Sequence, residues 1–149
     1  MSKYYQGYYK PKNPDKYLGS KDPYYRSGWE KKAFHYFDNN TNIIAWGSET
    51  ITIPYFSVLD QKSHRYFPDI YCKVRDRDGN LKEFILEIKP MNQSVKPMQP
   101  KNKTAKAMKN YRLKMKTWVL NECKWQSARE YCTKMGYTFR VITEHELYG

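Results

Sequence analysis

The sequence predicts a mixed α/β fold, in which helices flank a mixed central sheet and the elements follow the order αβββαβ. Three observations lead to this prediction. Strand-like apolar patterns occupy the middle of the chain and recur near its end, apolar stripes with helical spacing stand before and between them, and Asp78-Gly79 forms a hairpin turn signal. The length of 149 residues predicts a single domain at 1–149, with an irregular Tyr/Lys-rich arm at 1–28, a core at 29–143 and a tail at 144–149.

The composition indicates a polyanionic partner. The net charge is +12 and the sequence pI is about 9.5, and 15 residues are Tyr, a side chain suited to stacking and to sugar-phosphate contacts. The three cysteines lack zinc-site spacing, so we expect reduced thiols in a cytosolic protein. We find neither a secretory apolar region nor a run of the roughly 20 apolar residues that span a bilayer, so we expect no membrane partner.

The N-terminal arm alternates tyrosines with lysines and is interrupted by prolines at 11, 14 and 23, which prevent long regular structure. Two interpretations are open. The arm, which begins with Lys3, Tyr4 and Tyr5, wraps the domain and buries its tyrosines, or it lies along a nucleic-acid backbone. Both interpretations are compatible with each other.

The first helix is predicted to begin after Ser27 and to end at Asn39-Asn40. Ser27 is a good N-cap, and Glu30 falls in the first turn, where a carboxylate suits the helix dipole. The run from Ile43 to Phe56 then predicts one strand with a bend at Gly47-Ser48.

The stretch from His64 to Pro90 predicts the hairpin on which the site is built. Residues two apart in a strand point the same way, so Glu87 and Lys89 project together while Ile88 points into the core. Pairing across the turn places Asp69 opposite this polar pair. Two carboxylates and an amine beside a buried strand are costly without a function, and a bound divalent metal is the simplest one.

Thr104 is predicted to cap a helix that follows a Pro-, Lys- and Asn-rich loop at 90–103. Apolar spacing supports helix up to Val119 and again from Trp125 to Met135, with a break near Asn121 expected and one continuous helix as the alternative. A last strand at Thr138–Thr143 and a short turn at Glu144–Leu147 complete the order.

Positive charge concentrates in this part of the chain. Nine Lys and two Arg stand against two Glu between Lys96 and Lys134, a net +9, which favours a phosphate-facing surface. His64 and Arg65 precede Asp69 closely enough to reach the rim of the same site, although a strand-end surface histidine is equally compatible with the pattern. The candidate DNA-binding residues are therefore His64, Arg65, Lys96, Lys101, Lys103, Lys106 and Lys109.

Phosphodiester hydrolysis fits this set of residues. Mg²⁺ prefers carboxylate oxygens and water, so we expect Asp69, Glu87 and the backbone carbonyl of Ile88 to hold it, with Mn²⁺ as a substitute. Lys89 is expected to orient or deprotonate the attacking water, or to stabilise developing charge. Glu30 is expected to hold a second ion or to contact the first through a water molecule.

Pro68-Asp69 followed by Glu87-Ile88-Lys89 resembles the motif of the PD-(D/E)xK nuclease superfamily, with Glu30 as the helical acid. The resemblance implies a restriction-endonuclease-like fold, catalysis by Glu30, Asp69, Glu87 and Lys89, and products with a 5′-phosphate and a 3′-hydroxyl. Further stretches are similar to the TnsA-type branch of the superfamily. They are the Arg26–Glu30 and Trp46–Glu49 segments, the His64–Tyr71 run, Lys124-Trp125 and the closing Phe139–Leu147 run. That branch often has Gln at the position of Glu87, and the acid found here is the better metal ligand.

Along nearly its whole length the chain is similar to the head completion nucleases of T-even-like bacteriophages. The resemblance implies an endonuclease that acts on double-stranded DNA during capsid maturation, in the host cytoplasm or associated with the virion. Capsid, portal or other head completion proteins would be its partners. We expect weak sequence specificity, because no recognition helix is evident. Two alternatives remain: a non-catalytic assembly factor that binds DNA or a portal, and a repair or junction nuclease.

Overall fold

The computed structural model describes residues 5–148, so that Lys3 and Tyr4 of the predicted arm, and Gly149, lie outside the described residues. The described residues contain three α-helices: α1 at Gly28–Asn39, α2 at Ala105–Met135 and α3 at Glu144–Tyr148. The strands, in chain order, are β1 at Gly7–Tyr8, β2 at Tyr24–Tyr25, β3 at Ile43–Ser48, β4 at Ile53–Ser57, β5 at Lys62–Tyr66, β6 at Ile70–Arg75, β7 at Leu81–Ile88 and β8 at Thr138–Ile142.

A four-stranded sheet of order β3-β6-β7-β8 forms the centre of the fold. Strand β6 is antiparallel to both β3 and β7, whereas β8 runs parallel to β7, so the sheet is mixed, as predicted. One face of the sheet packs against α1 through Phe34 and Phe37, and the other packs against α2 through residues such as Cys132. The helices α1 and α2 and the four sheet strands occur in the predicted αβββαβ order.

A second hairpin, β4–β5, interrupts this order between β3 and β6 and corrects two strand predictions. The expected strand from Ile43 to Phe56 is in fact two strands in different sheets. The chain turns away at Glu49, whose φ of 54° is uncommon for a residue with a side chain. The predicted hairpin strand from His64 is also two strands, because Pro68 has no N–H to donate to a ladder and separates β5 from β6.

The arm packs against the domain where it is described. Asp38, which is fully buried at the end of α1, accepts hydrogen bonds from the Tyr9 hydroxyl at 2.6 Å and from the backbone N–H groups of Lys12 and Asn13 at 2.7 and 3.0 Å. Tyr17 stacks edge-on against the buried Trp46, with ring centroids 4.7 Å apart. The arm is therefore attached to the core by a buried carboxylate and by aromatic contacts.

The helix α2 runs without a break for 31 residues, so the break expected near Asn121 is absent. No Gly or Pro occurs between Ala105 and Met135 to interrupt it. Thr104 accepts the Ala107 N–H as the N-cap, and Gly136 ends the helix with a left-handed φ of 78°. Its buried residues all lie in the second half, at Asn121, Trp125, Ala128 and Cys132.

No helix within residues 5–148 combines the length and the apolar character that crossing a bilayer requires.

Candidate active site

Strand β7 presents Glu87 and Lys89 together, as the alternation predicts. Glu87 is buried in the sheet, and the Lys89 Nζ lies 3.8 Å from its Oε2. The backbone N–H of Lys89 donates to the Ile142 carbonyl at 2.9 Å, which continues the pairing with β8 one residue beyond the end of β7. The acid and the lysine are thus fixed by a strand that has neighbours on both sides.

Asp69 lies directly before β6, opposite the end of β7. Ile70 pairs with Leu86, so the antiparallel register places Asp69 across from Glu87. The Asp69 Oδ2 accepts the Ile88 N–H at 2.7 Å, and its backbone carbonyl accepts the Glu49 N–H at 3.1 Å. The predicted convergence of Asp69 with Glu87 and Lys89 is present in the structure.

The electrostatics of this pair are unfavourable without a cation. Burial raises the pKa of Asp69 well above its usual value, and the neighbouring Glu87 raises it further. The Ile88 N–H and the Lys89 ammonium act in the opposite sense but do not offset these effects. Burial and the adjacent Glu87 thus oppose the ionisation of Asp69, and a divalent cation at this position would stabilise its ionised form.

Glu30 approaches the same acids from the first turn of α1. Its backbone N–H donates to the Ser27 hydroxyl at 3.2 Å, and its Oε2 accepts the Arg26 N–H at 2.7 Å, in the manner of a capping box. Burial raises the pKa of Glu30, and the charges of Asp69 and Glu49 raise it further. Glu30 is therefore near Asp69, while its carboxylate is already bonded to the backbone.

The donor atoms of the site are the carboxylate oxygens of Asp69 and Glu87. Within the described part of the chain, no three His, Cys, Asp or Glu side chains come close enough together to form a metal cluster. Mg²⁺, however, usually binds one or two protein carboxylates and completes its shell with water and substrate phosphate. Asp69 and Glu87 supply two such carboxylates and therefore fit this coordination. Glu30 lies on α1 and is not part of the Asp69–Glu87 strand pair.

Two aromatic residues of the site were not anticipated. The Tyr66 hydroxyl is buried with no hydrogen-bond partner of normal geometry among the described residues, and the Trp125 Nε1 is in the same condition. Burial raises the pKa of Tyr66, as does the charge of the nearby Glu87. The position of Tyr66 was not predicted, because the sequence predicted one continuous strand from His64. The break at Pro68 places Tyr66 in a separate strand, β5, with a different pairing partner.

Two cations flank the carboxylates. The Arg26 Nη1 lies 2.7 Å from the Glu49 Oε1, and this bond raises the pKa of Arg26, helped by the charges of Glu30 and Asp69. On the opposite side of the sheet edge, the Lys124 Nζ lies 5.8 Å from the centre of the Tyr66 ring. Both residues occur in the segments that carry the family resemblance, but no role was predicted for them.

The predicted DNA-binding residues occupy two places. His64 binds Asp60 at 2.7 Å and stacks on Tyr55 in the β4–β5 hairpin, and Arg65 is exposed on the other face of β5. The lysines are exposed on the loop after β7 and on the first turns of α2, at Lys96, Lys101, Lys103, Lys106 and Lys109.

Comparison with known proteins agrees with this geometry. The model of the family described as the TnsA-like endonuclease N-terminal domain matches residues 40–144. The head completion nuclease of Enterobacteria phage T4 is 43% identical over 144 residues, which cover 96% of this chain and 93% of that protein. No solved structure gives a significant match. The chain therefore belongs to the family of TnsA-like endonucleases, as its arrangement of acids and lysine on a mixed sheet suggested.

Proposed function

We propose that this protein is a Mg²⁺-dependent DNA endonuclease that hydrolyses phosphodiester bonds, with Mn²⁺ able to replace Mg²⁺. The observation that carries the proposal is the juxtaposition of Asp69, Glu87 and Lys89, with the Lys89 Nζ 3.8 Å from the Glu87 Oε2. The raised pKa of Asp69 supports a cation between the acids, because a positive charge there would favour both ionised carboxylates.

Asp69 and Glu87 would hold the ion, together with the Ile88 carbonyl, and Glu30 would reach it through a water molecule or hold a second ion. When bound, the ion neutralises charge on the scissile phosphate and lowers the pKa of water. Lys89 supplies the chain's own chemistry at this point. Its side chain is 28% exposed, and its ammonium would orient the attacking water and stabilise negative charge that develops on the phosphate.

DNA is the proposed substrate because the charge of the protein suits it. The lysines of the loop after β7 and of the first half of α2 extend from the acidic site along one helix, and their side chains are exposed. Contacts to phosphates position DNA without reading its sequence. We therefore propose double-stranded DNA as a substrate that is cleaved with weak sequence preference.

The biological setting is proposed from the T4 relative, which is named a head completion nuclease. We infer that the protein acts in phage head completion, during or after DNA packaging, in the host cytoplasm and in contact with capsid or portal proteins. The identity of 43% over almost the full length of both chains supports a shared role.

The test is cleavage of supercoiled and linear plasmid DNA by purified protein with Mg²⁺, Mn²⁺ or excess EDTA. We expect nicked and linear products with either metal, none with EDTA, and ends that a ligase rejoins without added kinase because they carry a 5′-phosphate. Cleavage that persists in EDTA would overturn the metal dependence. Rescue of a phage lacking the gene by an inactive Asp69→Asn protein would favour the non-catalytic assembly factor instead.

A further inference from the structure

A groove with a volume of about 510 Å³ lies beside the proposed active site, between the segment at 92–98 and the middle of α2. We call it the loop–helix groove. Its walls include Lys96 and Met98 from the segment, and Leu113, Lys114, Trp118 and Asn121 from the helix. The volume falls within the roughly 300–1,000 Å³ typical of small-ligand pockets.

Apolar side chains line the groove and remain exposed. Met98 is 89% exposed and Leu113 is 53% exposed, although both are large and apolar. Trp118 adds an aromatic surface, and the Lys96 Nζ lies 5.6 Å from the centre of its ring. Exposed apolar surface gathered around a concave site indicates a ligand with an apolar or aromatic face.

Asn121 at the groove points to a polar edge on the same ligand. Its side chain is only 5% exposed, and its amide makes no hydrogen bond to any described residue. The amide is not among the fully enclosed polar atoms that lack a partner, so it is reached from the groove, where a ligand can bond it. Since the amide both donates and accepts, a ligand with adjacent donors and acceptors would satisfy it.

The groove is close to the acids. Asn92, which lines it, follows Lys89 by three residues, so their Cα atoms are at most about 11 Å apart. Asn121 stands one helical turn before Trp125, on the same face of α2, and Trp125 adjoins Tyr66 beside Glu87. A strand of DNA cleaved at the acids would therefore pass the groove within a nucleotide or two.

The positive charge in and around the groove indicates that its ligand is anionic. Lys96 and Lys114 belong to its wall, and Lys101, Lys103 and Lys106 are exposed nearby on the same loop and helix. An occupant that is aromatic, has hydrogen-bonding edges and carries anionic phosphates is a nucleotide. Bases in a duplex are stacked and cannot enter, whereas unpaired bases stack readily on aromatic side chains.

We infer that the loop–helix groove binds an unpaired base of the DNA strand adjoining the scissile phosphate. Trp118 stacks on the base, Asn121 bonds its edge, and Lys96 moves from the Trp118 ring to a phosphate. The inference rests on the proposed nuclease function and extends its substrate class to DNA with a single-stranded segment, such as an overhang or a fork.

Binding by the full chain tests this inference without depending on cleavage. Fluorescence anisotropy in EDTA, with an Asp69→Asn background, would compare a blunt duplex, the duplex with an overhang of about five nucleotides, and the same overhang made abasic. The overhang with bases should bind about tenfold or more tightly than the abasic one, since stacking of one base is worth roughly 5- to 150-fold. The blunt duplex should bind no better than the abasic DNA.

Variants of the groove provide the controls. Trp118→Ala and Asn121→Ala should remove the preference for bases while binding to the blunt duplex stays within about twofold of the parent. Met98→Ser, at an exposed position that does not support the fold, should weaken the preference in the same sense. Lys114→Gln and Lys116→Gln remove the same charge, but only Lys114 lines the groove. We therefore expect Lys114→Gln to weaken binding to the overhang more than binding to the blunt duplex, and Lys116→Gln to leave the ratio of the two affinities as it is in the parent.

Equal affinity for normal and abasic overhangs would overturn the inference, as would a Trp118→Ala protein that keeps the preference. Either result leaves the nuclease proposal standing, because wild-type cleavage of blunt plasmid DNA is measured separately. Failure of that cleavage, with a preserved preference for bases, would instead remove the nuclease proposal and leave a DNA-binding groove.

Discussion

The Oδ2 of Asp69 accepts a hydrogen bond from the backbone N–H of Ile88 at 2.7 Å, just beyond Ile70 and Leu86, the last residue pair of β6 and β7. The side chain of Asp69 thus takes the place of a backbone carbonyl in the strand pairing. This bond connects the Pro68-Asp69 corner directly to the Glu87-Ile88-Lys89 strand end. The two halves of the motif, 19 residues apart at Asp69 and Ile88, are therefore hydrogen-bonded directly to each other. Substitutions of Asp69 that keep its hydrogen bond to Ile88 should therefore lower activity without lowering the stability of the fold.

Asp69→Asn should abolish cleavage while preserving the fold. The amide oxygen still accepts the Ile88 N–H, but the charge needed at the site is lost, so we expect a fall of at least about 10²-fold in the rate of plasmid nicking. Lys89→Gln should have a comparable effect, because it removes the ammonium beside the acids. Asp78→Asn, which changes an exposed acid in the β6–β7 turn, should leave the rate unchanged, and equal losses in all three variants would contradict the assignment.

A divalent cation should stabilise the wild-type protein. Mg²⁺ or Mn²⁺ at about 100 times its dissociation constant contributes about 2.7 kcal/mol to folding. For a chain of this size the melting temperature should rise by about 5–10 °C relative to EDTA. Asp69→Asn should melt above the wild type in EDTA, because the carboxylate repulsion is relieved, and should respond little to metal. Calorimetry that finds the same metal response in both proteins would place the cation elsewhere.

Two substitutions of Glu30 should distinguish its contribution to stability from its contribution to cleavage. Glu30→Gln keeps an oxygen to accept the Arg26 N–H, so its melting temperature should stay close to that of the wild type while cleavage slows by about tenfold or more. Glu30→Ala loses the bond as well and should cost about 1 kcal/mol of stability. The measurements are thermal melts and nicking rates over a range of Mn²⁺ concentrations. Full activity in Glu30→Gln would remove Glu30 from the site.

DNA binding should weaken steeply with salt. Each lysine that contacts a phosphate releases a counterion, so replacing Lys106 and Lys109 by Gln should reduce the slope of log affinity against log salt by about one per residue. The matched control replaces Lys62 and Lys82, two exposed lysines outside the loop and α2, and should leave the slope unchanged. A flat salt dependence of the wild type would contradict a phosphate-binding surface. Fluorescence anisotropy between low and moderate salt provides the data.

Asp38 should make the attachment of the arm sensitive to acid. Burial alone would raise the pKa of Asp38, but hydrogen bonds from Tyr9, Lys12 and Asn13 outweigh it and lower the pKa below its usual value. A lowered folded-state pKa stabilises the protein above the ordinary Asp pKa of about 3.9, and the contribution is lost as pH falls through the lower folded value. Asp38→Ala should therefore cost about 3 kcal/mol at neutral pH and progressively less in acid. Asp15→Ala, at an exposed acid of the same arm, should change stability little at any pH in denaturant unfolding.

Local periodicity was sufficient to predict the central elements. The alternation around Glu87 and the Asp78-Gly79 turn fixed β7 and its pairing with β6, which placed Asp69 near Glu87 and Lys89 correctly. The resemblance to TnsA-type endonucleases was confirmed by comparison with known proteins. The β6–β7 pairing and the family motif could both be predicted because each is carried by short stretches of sequence, in which the relevant side chains lie on one strand or on two neighbouring strands.

Other features depend on contacts that sequence spacing does not reveal. The β4–β5 hairpin and the position of Tyr66 follow from a left-handed turn at Glu49 and from Pro68, which together redirect the chain between sheets. The helix α2 continues through Asn121 although Asn has only a modest helix propensity, and Asn121 is buried there on the same face as Trp125 and Ala128. Whether the predicted lysines touch DNA, and whether Asp69 and Glu87 hold a metal, remain predictions.

The continuous helix α2 has a mechanical consequence. Its 31 residues make a rod of about 46 Å, anchored in the core by Trp125, Ala128 and Cys132 and bearing exposed lysines at its other end. A helix without a hinge keeps a constant distance between those lysines and the acids of the sheet. In the enzyme we propose, the phosphates bound by these lysines would therefore lie at a constant distance from the acids, so that bound DNA would enter the site in one geometry.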